Sequence, residues 1–490
     1  MGIYITGNSI GGSYFYLNNG DSVQIANPDS LGGPYSYTSH CYIAKLDSLG
    51  NLLWRTVITH GKPFNITLDK SNNILLMADV GSNSLYFKSY SSQPIPNVDG
   101  NQKILLKIDN NGNLIWCSKI SLNYSNSIQF SECNIDHSNN IYITGSYEYN
   151  STFYSSNSPF SLSISSSSVG EKFYVVKYDS TGLVKWLVKG ITSNIPNNGS
   201  AGTGIVVDSL GNSYVCGVTA ISTNNSNNNF IVTDSYTSHT TNVGSFFLMK
   251  INTNGILNWI TGMKKQSSTA CYSPKLAIFN DRIGLIGKVH ITGFTPWTGD
   301  IMSTNGDSMS ITLNRGDAVV ADYDTAGVLH DVYYISNSNI YSGIMPISLQ
   351  MDNNNYYVLG HASMNINSST FACLNDVIIP NGAYESLVAK MERVGCLPGV
   401  ITNSNINSIQ LKSISVFPNP NSGNEIEIIS TISSGQIKIY DSLGGVVYSS
   451  SFNSPNFRLS CQNVLNSSGI YIIELISEND RVYSKLVVNK

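Results

Sequence analysis

The chain has 490 residues, 41% of them hydrophobic but only 12% charged, and a net charge of −4. An average soluble protein carries about 25% charged residues, so the polar surface must come largely from Ser, Asn, Thr and the 29 tyrosines, a composition that suits strands, turns and an extracellular setting. This balance leaves no basic footprint for nucleic acid, and no apolar run approaches the roughly 18 residues that a membrane-spanning helix requires.

Met1 leads directly into Ile3-Tyr4-Ile5-Thr6-Gly7, a strand pattern that recurs downstream. No charged segment, apolar stretch or cleavage site precedes it, so the expectation is a sequence truncated at its N-terminus or one whose true start lies upstream. The next residues, Gly7-Asn8-Ser9-Ile10-Gly11, match the G-x-S-x-G string of a hydrolase elbow. That motif needs a strand, a strained turn and then a helix. No helical period follows Ser9, so the match reads as accidental.

From Lys45 to Gly399 the chain is repetitive. KLDSLGNLLW from Lys45 recurs as KIDNNGNLIW from Lys107, KYDSTGLVKW from Lys177 and KINTNGILNW from Lys250. Two degenerate copies follow, DYDTAG from Asp322, with Asp331 in the Trp place, and KMERVG from Lys390, with Gly399 there. Subtracting successive glycine positions (50, 112, 182, 255, 327, 395) gives intervals of about 62 to 73 residues. Between these hairpins lies a second one, seen as ITLDKSNNILLMADV from Ile66, CNIDHSNNIYITGSY from Cys133 and GIVVDSLGNSYVCGVT from Gly204, with looser copies from Leu276 and Leu349. Each shows two β-runs around a turn of Asp or Asn followed by Gly or Asn. Every unit therefore supplies at least four antiparallel strands, and no helical period of useful length appears.

Four-stranded repeats of this kind predict an all-β fold, a β-propeller of six or seven four-stranded blades over residues 1–399, with the first blade incomplete. The units resemble a bacterial β-propeller repeat family whose pattern is D-x-x-G-N-x-Y-[IV]-T-G followed by F-[VL]-x-K-x-[DN]-x-x-G-x-x-x-W. Trp54, Trp116, Trp186 and Trp259 occupy one register and read as blade-to-blade packing anchors rather than sugar-stacking platforms. Trp297 lies outside that register and is the better candidate for an exposed aromatic.

Other candidate sites are weaker. Asp109 to Asn113 places oxygens at alternating positions, but Leu114 and Ser121 fail the EF-hand rule. The seven histidines share no register, and the eight cysteines, none in a C-x-x-C pair, read as small buried hydrophobes. Cys117 and Cys133, on consecutive predicted strands, are the candidate disulfide. No cofactor, metal or catalytic constellation is predicted. Six excursions rich in Ser, Asn, Thr and Tyr, roughly 8 to 40, 81 to 102, 148 to 170, 220 to 245, 294 to 316 and 363 to 385, should emerge toward one side of a radial repeat. They form the expected face for a glycan or protein ligand. The alternative is an extracellular polysaccharide-acting hydrolase or lyase whose carboxylates come from separate blades, for example Glu148 and Asp317.

Residues 400–410 read as a Ser/Asn-rich linker, and 411–490 as a separate small β-sandwich. This last module carries Pro418-Asn419-Pro420, then IKIYDSLG from Ile437 with Tyr440, Asp441 and Gly444, then Gly469-Ile470-Tyr471, and a closing strand with Lys485 and Lys490. It resembles the type A C-terminal sorting domain of the Bacteroidetes type IX secretion system. The resemblance implies an export address, the type IX machinery as partner, and a secreted location with possible attachment at the outer membrane. The expectation is thus a secreted or cell-surface binding or structural protein.

Overall fold

A computed structural model describes residues 2–9, 14–16, 22–24, 40–59, 61–80, 85–88, 91–94, 102–122, 128–165, 170–192, 199–219, 230–234, 236–241, 243–264, 269–291, 297–313, 318–335, 344–363, 374–378, 384–392, 414–417, 425–430, 432–441, 445–461, 465, 467–477 and 481–488. Every regular element among them is a strand. The chain divides into two compact units, Met1–Gly399 and Val400–Lys490.

In the first unit each repeat folds as an antiparallel meander. The second sheet runs Gly61–Leu68, Ile74–Val80, Gln102–Ile108, Leu114–Leu122, and the third runs Ile128–Ile135, Ile141–Tyr147, Lys172–Tyr178, Val184–Thr192. The fourth (Ser200–Val207, Ser213–Thr219, Val243–Ile251, Leu257–Lys264) and fifth (Thr269–Phe279, Arg282–Ile291, Ala318–Asp324, Leu329–Ile335) repeat that order. The first sheet begins at the second-strand position with Ile3–Ser9, followed by His40–Leu46 and Leu52–Ile58. In the sixth, Ile344–Met351, Asn355–Ser363 and Tyr384–Glu392 pair in turn, and the short strand Leu374–Ile378 takes the fourth place.

The side-chain alternation of each strand buries both faces, one against the preceding sheet and one against the following one. Leu75, Met77, Leu105, Trp116 and Ile120 of the second sheet share a core with Phe130, Ile141, Ile143, Tyr174 and Val176 of the third. Four further clusters join first to second, third to fourth, fourth to fifth and fifth to sixth. This arrangement separates the two cysteines expected to pair. Cys117 points into the core between the first two sheets and Cys133 into the next one, so the strand alternation puts them on opposite faces, and both are free thiols. The expected disulfide is not present.

The excursions also depart from expectation. In the first, Tyr14–Tyr16 pairs with Ser22–Gln24 in a two-stranded sheet of its own, and four others fold into the hairpins Leu85–Lys88 with Ser91–Pro94, Ser151–Tyr154 with Ser161–Ile164, Phe230–Thr233 with Ser238–Thr241, and Trp297–Met302 with Ser308–Leu313. Each of these four adds to the last-strand edge of the sheet before its own, as in the pairing of Phe153 with Ile120 and of Val232 with Gly190. An outer strand left alone would present a row of unpaired amides and carbonyls. The short apolar alternations of STFY and FIVT let the next repeat cover that edge while burying Phe153, Phe230 and Val232. The described strands of these four excursions are therefore sheet extensions.

The second unit contains a three-stranded sheet, Ile414–Phe417, Glu425–Ser430, Asn456–Ser460, and a four-stranded sheet in the order Val446–Phe452, Gly435–Tyr440, Gly469–Ile476, Arg481–Val488. Ile426, Ile428 and Leu459 from the first, with Ile437, Ile439, Tyr471, Ile473 and Leu486 from the second, form one apolar core.

Candidate functional site

The recurring Asp is a turn cap. At Asp109, Oδ1 accepts from the backbone N–H of Asn111 at 2.8 Å and of Asn113 at 2.7 Å, while Oδ2 accepts from the Asn113 side chain at 2.7 Å. Asp47, Asp69, Asp136 and Asp208 repeat this arrangement. Hydrogen bonds from the Asn51 side chain and backbone hold the Asp47 carboxyl below the usual range. With both oxygens engaged locally, these carboxylates serve the hairpin. No cluster of three metal-ligating side chains occurs among the described residues.

The K-x-D-x-x-G-x-x-x-W register is a latch to the following repeat. Lys45 and Trp54 stand opposite each other on paired strands, and both donate to the carbonyl of Asn110 in the next turn, Trp54 Nε1 at 2.9 Å and Lys45 Nζ at 3.5 Å. Trp116 and Lys107 do the same to Ser180, at 3.3 and 3.4 Å, and Trp186 and Lys177 to Thr253, at 3.0 and 3.2 Å. Lys250 reaches Thr325 at 3.1 Å, whereas Trp259 Nε1 has no hydrogen-bond partner among the described residues.

The indole also lies against the glycine of that next turn. A Cβ on Gly255 would sit 2.6 Å from Trp186 Cγ, on Gly112 3.0 Å from Trp54, on Gly182 3.1 Å from Trp116 and on Gly327 3.0 Å from Trp259, with Ser156 and Thr304 closer still at the last two. The invariant interval from Gly to Trp thus has two causes: the turn needs a positive φ, +81° at Gly255, and the neighbouring indole leaves no room for a side chain. Trp116 and Trp186 are each 6% exposed, buried too deeply to offer a ring face to a sugar. In the fifth sheet Asp322 and Asp331 occupy the paired Lys and Trp positions, and Asp322 is held by Arg282 at 2.9 Å, so the latch is not repeated there.

The added hairpins brace the same junction. Ser155, Asp234 and Ser303, at the tips of three of them, accept the N–H of Val184, Leu257 and Leu329, the residue two after each latch glycine. At Asp234 burial raises the carboxyl, but bonds from the Thr237, Tyr236 and Leu257 amides and from His239 outweigh it and push the group down to about 2.

Ser9 ends a strand. Asp317 and the Trp297 side chain lie outside the described residues, so neither the Glu148 and Asp317 pairing nor the exposure of Trp297 is described. Among the described residues, Glu132 and Lys275 meet at 3.5 Å, from the first strands of the third and fifth sheets.

In the second unit, Asp441 caps its turn by accepting the Gly445 N–H at 2.8 Å, and Tyr471 is buried with its hydroxyl donating to the Ser467 carbonyl at 3.0 Å. Tyr440 donates to Glu474 at 2.5 Å. Gly469 and Ile470 open the central strand Gly469–Ile476, and Lys485 lies on the strand beside it, its side chain outside the described residues. Pro418, Asn419, Pro420, Gly444 and Lys490 also lie outside the described residues. Sequence reasoning missed one feature here: several large apolar side chains of this unit face outward, including Val446, Ile470 and Ile472. Only the pairing of the strands shows them to share a face.

Residues 415–489 match the family described as the secretion system C-terminal sorting domain. Over 84 residues the chain is 31% identical to an endo-acting ulvan lyase of Formosa agariphila, and this stretch is 17% of the chain and 16% of that enzyme. Over 89 residues it is 30% identical to an ulvan lyase of Nonlabens ulvanivorans, covering 18% and 16% of the two chains. The chain thus spans about a sixth of the length of these relatives. PorZ, a bacterial surface component of the type IX secretion system of Porphyromonas gingivalis, aligns over 97% of this chain and 90% of its own with 9% identity and a TM-score of 0.19. No helix among the described residues is long and apolar enough to cross a membrane. The sorting tail at residues 415–489 marks this chain as a secreted, cell-surface protein of the type IX export route.

Proposed function

We propose that residues 1–399 wind into a six-bladed β-propeller and that 411–490 form a β-sandwich sorting domain. The protein is then a binding or structural component of the bacterial surface. The repeated latch supports the propeller, since the same Lys, Trp and Gly contact at successive junctions imposes the same rotation each time. The observation that carries the function is the sorting tail. The hairpins around Ser151–Tyr154 and Phe230–Thr233 then widen the blades at their rim, and the ligand surface is formed by blade ends and rim rather than by six free loops.

A binding screen of the intact chain against glycans and surface proteins, run beside turnover assays on polysaccharides, tests the reading. Saturable binding without turnover is expected. Turnover that disappears when a single carboxylate such as Glu132 is neutralised to Gln would replace the binding role with an enzymatic one.

A further inference from the structure

The pattern residues of the sorting module divide into two groups once their burial is known. Tyr471 is packed inside, and Asp441 caps a turn, so the fold itself requires both. Ile470 is different, because it stands between Gly469 and Tyr471 of the sorting motif and is an apolar residue, yet it is 46% exposed. One exposed aliphatic is ordinary, but several on one face mark an interaction surface.

Strand register shows what surrounds it. Val446, Tyr440, Ile472 and Lys485 are successive partners across the four strands of one sheet, and the first three form one row on the face opposite the apolar core. Ile470 stands two residues from Ile472 and hence on the same face. Val446 is 55% exposed and Ile472 38%. Tyr440, held to Glu474 by its hydroxyl, is fixed in the middle of the row. Two pattern positions, Tyr440 and Lys485, therefore share a register line with exposed aliphatics, and a third, Ile470, adjoins it.

We infer that this outer face, centred on Tyr440, Ile470 and Ile472 with Val446 at its edge, is the surface that the export machinery reads. The occupant is a protein receptor of that machinery offering an apolar seat that covers the aliphatic row. The inference rests on the export reading. It places recognition on a sheet face.

The test uses the full chain in a host with type IX secretion, comparing the wild type with I470S/I472S, V446E and the conservative I472V. Surface protein is measured by protease accessibility and retained protein by fractionation, and urea midpoints of the purified chains report folding. The double variant and V446E should each lower surface protein by about tenfold, a loss of roughly 1.4 kcal/mol in receptor affinity, with I472V unchanged. Val446 lies on an edge strand and is more than half exposed, so V446E reports on the face even if the double variant folds poorly. Normal export of folded V446E and I470S/I472S overturns the inference, as does unchanged export with loss of self-association, which would make the face a contact between copies. Surface display of a chain lacking residues 411–490 would instead remove the export reading itself.

Discussion

Replacing Gly255 by Ala probes the latch more sharply than removing its indole. The new Cβ would lie 2.6 Å from Trp186 Cγ and 2.8 Å from Cδ2, at a φ of +81°. Gly306 provides the control, because its φ is +93° but nothing among the described residues lies within 4 Å of its Cβ position. An L-residue in the left-handed region costs about 1–2 kcal/mol, and this should be the whole effect of Gly306→Ala. Gly255→Ala adds overpacking against a buried ring, typically about 1–3 kcal/mol, for a total of roughly 2–5 kcal/mol. Trp186→Ala alone should cost about 3–5 kcal/mol, but it removes the ring atoms that the added methyl group strikes. The double variant should therefore be more stable than the sum of the single effects predicts by about 1–3 kcal/mol. Urea unfolding followed by circular dichroism measures the wild type and all four variants. Equal costs at positions 255 and 306, together with strict additivity with Trp186→Ala, would refute the account of the Gly to Trp interval.

Trp186→Phe should cost about 1 kcal/mol more than Trp259→Phe, since only Trp186 Nε1 has a carbonyl partner, in Thr253; equal urea midpoints for the two variants would contradict this. Asp234 is predicted to make the protein acid-sensitive. Its folded pKa of about 2 lies below the ordinary 3.8, so its contribution, on the order of 2 kcal/mol, is complete above about pH 5 and is lost as the pH falls toward 2. Asp234→Asn should flatten the fall in urea midpoint between pH 5 and pH 2.5, and an unchanged slope would count against the hairpin brace. Cys117, whose thiol burial pushes up to about 12, should resist iodoacetamide in the native protein. Under denaturing conditions without reductant both Cys117 and Cys133 should alkylate fully by mass spectrometry, whereas alkylation only after reduction would restore the disulfide.

The all-β character and the repeat were legible because they are written in local patterns. Asp or Asn turns followed by Gly or Asn mark hairpins, and a fixed interval from Gly50 to Trp54 or from Gly182 to Trp186 marks one register. The shared register also pointed to Trp116 and Trp186 as packing residues. What it could not show was the partner, because the glycine beneath each indole belongs to the next repeat, 58 residues on from Trp54 at Gly112. The hairpins were missed for a related reason. STFY and FIVT are four-residue runs within Ser- and Asn-rich sequence, and the edge they cover belongs to the preceding repeat. Cys117 and Cys133 misled because consecutive strands in the chain here lie in different sheets. In the sorting module the pattern was plain, but the distinction between buried Tyr471 and outward Ile470 emerges only once the sheets are paired.

The measurement that bears most directly on the central claim is the fraction of protein at the cell surface for the intact chain and for one ending at Gly399, expressed side by side in a host with type IX secretion. The account predicts that the intact chain reaches the surface while the shortened chain folds, as judged by an unchanged urea midpoint of its repeat unit, and stays inside the cell. Equal surface levels for the two chains would contradict it.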